Sequence, residues 1–478
     1  MDRSNFSPTD IVEEVWTDLG LPKHAICAIK LDTKPGSAAP SSFKIGHIAQ
    51  SSIALSALTA TLLHSYRNGT DLPRVTVPLC HALAEFKSER LYEIEGKSPL
   101  PVWGDVGGLH RTLDGYVRIH DSFPNHRLGT LQLLGLPSEA TRNDVASKTK
   151  LWLSVDLETV GIEHGLAVYA LRTYEEWDKH PQSISIASQP ILLRKFANGP
   201  KGFPDHLARG ADRCLRGLRV VELSRVIAAP VAGKTLAAHG ADVLWVTSPN
   251  LPDQPPLDRE FSRGKRTIQL DINKPPDKAK LLELLRTADV FIQGYRPGSL
   301  AARGLSPTDL TTANPRLIIA NLSAFGPKGP WSSRRGFDSL VQTCSGMNVS
   351  EARHFGSGEP AKPLPCQALD HGAGYYLASG ISTALYKRAT EGGSWIVDVS
   401  LAGVMKYLRS LGQYPGKTGF EASDAKISLD VGEDLFEKRE TDFGVMKYLK
   451  HSAAVEGLEP GWDIMPKELG SDEPRWLA

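Results

Sequence analysis

Cysteine is scarce and scattered in this chain: five residues in 478, at positions 27, 80, 214, 344 and 366, without a Cys-x-x-Cys pair. That excludes a disulfide framework or a thiolate zinc cluster, gives no metal site, and fits a reducing, cytoplasmic setting. Charge of one sign is also lacking. A net charge of +1 leaves no basic footprint for nucleic acid or an anionic membrane. Long hydrophobic runs are missing too. The most apolar stretch, 47–66, is broken by Gln50, Ser51, Ser52, Ser56, Thr59 and Thr61, so it reads as a buried core helix and not as a membrane span. The opening MDRSNFSPTDIVEEV is too acidic and too polar for a presequence. The closing RWLA is neither a peroxisomal nor a prenylation signal.

Two phosphate-binding signatures are absent as well. Residues 228–235, AAPVAGKT, follow a strand and open a helix as a P-loop would. Ala228 stands where the loop needs glycine, and Pro230 removes a backbone donor from the cradle. The same crossover lacks Gly-x-Gly-x-x-Gly, which argues against a dehydrogenase.

What is present from 217 onward is an alternation of short apolar strands and helices. Strands are expected at Leu218–Leu223, Asp242–Val246, Arg266–Leu270, Val290–Gln293 and Leu317–Ser323, with helices at Val231–His239 and Asp277–Thr287. Such spacing implies right-handed crossovers and a mostly parallel sheet, a Rossmann-like α/β domain. Further along, Asp370 follows an extended run and stands just before an expected helix, with Gly372 and Gly374 close behind. A carboxylate so placed is suited to act as a nucleophile on an activated acyl group. Cys366, four residues earlier, reads as a small buried apolar residue.

Six ordered segments carry a resemblance. They are LRGLRVVELSRVIAAPVAGKTLAAHGADVLWV (215–246), GKRTIQLDIN (264–273), ADVFIQGYRPGSL (288–300), NPRLIIANLSAFGPKGPW (314–331), RGFDSLVQTCSGM (335–347) and the block from Ala368 to Met405. Together they resemble the family III CoA-transferases, the CaiB/BaiF group of formyl-CoA transferase, carnitine CoA-transferase and α-methylacyl-CoA racemase. The resemblance implies that Asp370 is the nucleophile of a CoA-transferase acting between an acyl-CoA and a free carboxylic acid. It forms an aspartyl anhydride and then an aspartyl-CoA thioester, with main-chain N–H groups near Gly372 and Gly374 holding the oxyanion. Coenzyme A or acyl-CoA is a substrate there and no cofactor is permanently bound. The resemblance places CoA against Val226, Ile227 and Ala228, against Leu270, Asp271 and Asn273, and against Gly294, Tyr295, Arg296 and Arg335. Racemase relatives carry a histidine where this chain has Phe337, which counts against racemisation; His371 reads as a structural hydrogen-bonder. A racemase or epimerase, and a catalytically impaired or regulatory relative, stand as alternatives.

The front of the chain resembles a later part of the same family. An offset of 322 residues pairs Leu63 with Leu385, Val77 with Val399 and Leu79 with Leu401, and sets Ile48 opposite Asp370. Isoleucine offers no nucleophile, so the front copy carries no site. The expected fold class is α/β: a Rossmann-like large domain with a mostly parallel sheet plus a smaller α+β domain, in a tandem partial-repeat arrangement. An irregular arm over 1–43, with turns at Pro35-Gly36 and Ala39-Pro40, precedes a degenerate unit over 44–200. In that unit Asp114-Gly115 marks a hairpin whose DGYVRIH strand forms the small domain's sheet core. A linker covers 201–214, the CoA-binding and catalytic domain 215–410, and a loop-rich, incomplete small domain 411–478. GVMKYL occurs at 403–408 and again at 444–449, and both copies read as helical core. Family resemblance further implies a homodimer, with acyl-CoA and carboxylic acids as the small-molecule partners.

Overall fold

The computed structural model describes residues 2–32, 38–207 and 209–477; the Pro35-Gly36 turn lies outside them. Its centre is a seven-stranded sheet built from β1 (Ile191–Ala197), β2 (Arg219–Leu223), β3 (Asp242–Thr247), β4 (Lys265–Gln269), β5 (Val290–Gln293), β6 (Ile318–Ser323) and β7 (Ser394–Ser400). The spatial order is β4-β3-β2-β5-β6-β7-β1. All neighbours are parallel except β1, which runs antiparallel along β7. Val220, Val221, Val243, Leu244, Val290 and Ile318 are buried, as strands covered on both faces require. The chain steps outward from β2 to β4, then returns and steps the other way from β5 to β7. Order therefore reverses between β2 and β5, the crevice where open α/β sheets take their ligands.

Two 24-residue helices lie against each other beside this sheet: α1 (Ile45–Asn68) and α4 (Ala368–Glu391). Between them in sequence come α2 (Ala228–Ala238) and α3 (Asp338–Cys344), and after them α5 (Leu401–Ser410). Polar residues inside α1 are satisfied locally. Ser56, Thr59 and Thr61 donate their hydroxyls to the carbonyls of Ile53, Leu55 and Leu58 at 2.8, 3.0 and 2.8 Å. Among the described residues no helix is long and apolar enough to cross a membrane. Glycines let α4 approach its neighbours closely. A methyl on Gly374 would lie 2.5 Å from Val231 and 2.6 Å from the Ala228 carbonyl, and one on Gly380 2.4 Å from Val397.

A smaller antiparallel sheet pairs Gly108–Arg111 with Tyr116–Ile119 and that strand with Val168–Ala170. Tyr116–Ile119 is central, as expected of the small domain's core, and Asp114 at the preceding turn accepts from Ser154 N–H at 2.8 Å.

Three sequence expectations need correction. The arm over 1–43 is not irregular throughout: Pro8–Asp18 is a helix, closed by a reciprocal Ser7–Asp10 capping box and buried along Ile11, Val12, Val15 and Trp16. The tail is not merely loops. Phe436–Thr441 and Gly444–Leu449 form a hairpin that pairs onward with Glu93–Ile94, and Ala454–Val455 pairs with Val75–Val77. Hence only the first GVMKYL is helical, in α5; the second is a strand, held between two partners.

Candidate active site

Asp370 lies inside the first turn of α4, not before it; the residue at the N-cap is Gln367, whose side chain caps nothing. The cap comes from elsewhere. Asp338, the first residue of α3, accepts from the Leu369 and Asp370 N–H groups at 2.8 and 3.0 Å with one oxygen, and from the Gln342 amide with the other. Two of the free donors of the helix start are thereby committed to Asp338. Gly372 and Gly374 lie further in, where helical N–H groups bond to carbonyls four residues back. Their positions serve packing and give no oxyanion donors.

This arrangement sets the acid–base state. Burial first, then the Asp338 charge and the Glu89 charge, push the Asp370 carboxyl well above the usual carboxylate range. Burial pushes Asp338 up to about 6, against the hydrogen bonds that stabilise its anion. The helix terminus, which would favour an ionised Asp370 by about 0.3–1 kcal/mol, is outweighed. His371 Nε2 is 3.0 Å from Glu89 of the front segment, and its ring stacks on Phe86 with centroids 5.3 Å apart. It ties α4 to the front segment.

The proposed CoA residues fall into two groups. Val226, Ile227, Ala228, Gly294, Tyr295, Arg296 and Arg335 gather around the β2/β5 reversal. Val226 has φ +72°, a left-handed conformation that strains a β-branched residue and marks a functional turn. Ile227 precedes α2 and Ala228 opens it. Gly294 N–H donates to the Leu223 carbonyl at 2.9 Å, and a methyl on Gly294 would stand 3.2 Å from Ala229. The Tyr295 N–H is held by Gln293 at 2.9 Å. Burial, then Arg296, lowers the Arg335 pKa, so two guanidinium groups act on each other unfavourably. The second group is different. Leu270 is part of the core under the sheet, and Asp271 is engaged by Asn273 and by Asn250 at 2.9 Å. Asn273 accepts from Arg303 at 3.1 Å and lines, with Lys278 and Leu282, an open cleft of about 450 Å³.

Nearer the reversal a tight cavity is lined by Phe123, Arg225, Val226, Thr247, Gln254 and Asp258. The Thr247 hydroxyl and the Gln254 carbonyl are buried there without partners among the described residues. Arg225, its guanidinium 4.5 Å from the Phe123 ring, was not singled out from the sequence. Among the described residues neither Arg225, Arg296 nor Arg335 has a carboxylate partner. Asp258 and Asp253 act on Arg225 from the same cavity; guanidiniums without a direct ion pair at a strand-end crevice suit an anionic ligand. Lys234 does not join them: it is buried in an ion pair with Glu260 at 2.7 Å, so residues 228–235 hold no phosphate loop.

Asp370 keeps 7% of its surface exposed and lines neither cavity. Residues 215–423 match CoA-transferase family III. An acyl-CoA transferase of Gibberella moniliformis is 31% identical over 313 residues, covering 61% of this chain and 54% of the relative. A succinate–glutarate CoA-transferase of Agrobacterium fabrum is 36% identical over 258 residues, covering 46% of this chain and 64% of the relative. A CAIB/BAIF family protein structure from Brucella suis is 28% identical, covers 49% of this chain and 65% of its own, and superposes with a TM-score of 0.38. The chain spans about half the length of the curated relatives it matches.

Around the family III segment, the front of the chain supplies groups the sequence did not advertise. His120 stacks on Phe337 with centroids 3.8 Å apart, and His126 and Phe123 lie 6.0 and 6.1 Å from the same ring. Burial, then His126 and Arg118, hold the His120 pKa well below normal; burial, Arg335 and Arg225 bring His126 down to about 4. Both imidazoles are therefore neutral at pH 7.

Proposed function

We propose that the chain is a CoA-transferase that moves CoA from an acyl-CoA thioester to a free carboxylic acid through covalent intermediates on Asp370. The observation that carries this reading is the buried Asp338–Asp370 pair at the start of α4 in a family III segment. A raised pKa makes Asp370 a stronger base and nucleophile whenever it is ionised. Its carboxylate oxygen attacks the thioester carbonyl, the C–S bond breaks, and an aspartyl–acyl anhydride and CoA thiolate result. Thiolate attack on the aspartyl carbonyl releases the donor acid and leaves an aspartyl-CoA thioester. The acceptor carboxylate then attacks that thioester, and the returning thiolate takes the acceptor acyl group, freeing Asp370. Each step exchanges bonds of similar energy. Val226, Ile227, Ala228, Gly294, Tyr295, Arg296 and Arg335, with Arg225 added, would border the nucleotide and its phosphates; Asn273 would border the cleft beside them. CoA enters as substrate and no resident cofactor or metal is invoked.

The tandem arrangement belongs to the same proposal. Under the 322-residue offset α1 falls on 367–390, the strand Val75–Val77 on 397–399 and Leu79 on Leu401, against α4, β7 and the start of α5. This coincidence supports a front copy that has lost its nucleophile; one site per chain, a cytoplasmic location and a homodimer complete the proposal. Incubation with acetyl-CoA and carbon-13-labelled oxalate, succinate, propionate or benzoate tests the reading: it expects a labelled CoA thioester from at least one acid, and none from any acid would oppose it. His120 beside Phe337 favours a second reading, α-proton exchange on an acyl-CoA. Deuterium wash-in at the α-carbon without acyl exchange would support that instead.

A further inference from the structure

An acid substrate must bring its carboxylate into a site that already holds Asp338, Asp370 and Glu89, three groups of the same sign when ionised. Like charges at close range oppose that approach unless a cation faces it. The strand Tyr116–Ile119 of the small domain provides one. Val117 and Ile119 point into the small domain's own core. Alternation places Arg118 on the opposite face, the face shared by His120, which stacks on Phe337 at 3.8 Å. Phe337 directly precedes Asp338, and α3 packs against this strand. The Arg118 side chain makes no hydrogen bond or ion pair among the described residues, and Asp338 is the foremost charge attracting it. The other carboxylate acting on it is Asp121, which is spent on the N–H groups of Val106 and Gly107 at 3.0 and 2.6 Å.

We propose that Arg118 binds the carboxylate of the acid substrates and orients it toward the acyl carbon carried on Asp370. This deepens, and rests on, the transferase reading above. A planar guanidinium can hold one carboxylate oxygen while the other attacks the aspartyl-CoA thioester and expels thiolate. The arginines around the β2/β5 reversal are left to the phosphates of CoA. The front segment, though it has no nucleophile of its own, would thus complete the site of the rear one.

The test is steady-state kinetics of the full chain, with acetyl-CoA as donor and, as acceptor, whichever of oxalate, succinate, propionate or benzoate the native chain uses fastest. Arg118→Gln should raise the acceptor KM by about tenfold or more while the donor KM stays within about twofold. Arg118→Lys, which keeps the charge without the fork, should fall between. Equal rises in both KM values, or an unchanged acceptor KM, would overturn the inference; should the glutamine variant fail to fold, the lysine variant carries the same comparison. Calorimetric titration of the same acids into Asp370→Asn, with and without Arg118→Gln, separates the two proposals. Acid binding lost only with Arg118, in a native chain that transfers nothing, would contradict the transferase reading and keep the carboxylate contact alone. Acid binding indifferent to Arg118 would overturn this one alone.

Discussion

The helices α1 and α4 share length and burial and lie against each other, yet only α4 carries an acid in its first turn. In α4 the first turn presents Asp370 beside Asp338, and the carboxyl is kept from its ordinary ionisation by burial and by like charge. In α1 the position reached by the 322-residue offset is Ile48, fully buried, with its side chain 3.2 Å from where a methyl on Gly372 would stand. One helix start stores an unfavourable charge pair, while the other fills the space beside it. Apolar packing beside the acid adds to the burial that disfavours its charge: function and packing are divided between two elements of equal length.

That division can be broken in order of effect. Asp370→Ala should lower acyl exchange by about 10⁴-fold or more with an unchanged circular dichroism spectrum; exchange at the native rate would remove Asp370 from the chemistry. Ile48→Asp, the reciprocal change, buries a carboxylate with no partner and should cost about 3–5 kcal/mol in urea unfolding without adding activity. Gly374→Ala should cost about 1–3 kcal/mol, because its methyl would meet Val231 and the Ala228 carbonyl. Ser52→Ala, at the offset position on α1, should stay within about 1 kcal/mol, and equal costs at the two sites would erase the contrast in packing.

The smallest effect concerns pH. Ionised Asp338 raises the Asp370 pKa, so the acidic limb of kcat/KM reports the pair and activity falls as pH drops through it. Asp338→Asn removes the raising charge, so the limb should move to lower pH by about one unit. A limb that stays in place would mean that burial alone sets it.

Much of this was legible in the chain. The strands Val290–Gln293 and Leu317–Ser323 fall within one residue of those observed, since short β-branched runs between helical stretches have few other solutions. Asp370 stood out because few acids sit in so small-residue a context. What sequence could not show was long-range. Asp338 caps a helix that begins thirty residues later, and His120 reaches Phe337 across more than two hundred residues. No local pattern announces such contacts. The two GVMKYL copies make the point within one hexapeptide. Ser400 caps the first at Gly403 N–H, 3.0 Å away, and it is helical. The second lies between Phe436–Thr441 and Glu93–Ile94, and it is extended. Local propensity was outvoted by neighbours. The arm is the opposite case: the Ser7–Asp10 capping box was in plain view and its helix could have been called from it.

The central claim is best tested by mass spectrometry of the peptide containing Asp370 after brief exposure of the native chain to acetyl-CoA. A CoA adduct on that carboxyl, absent from Asp370→Asn, is the predicted result. Turnover with the peptide unmodified at every time point, or an adduct on another residue, would contradict the account.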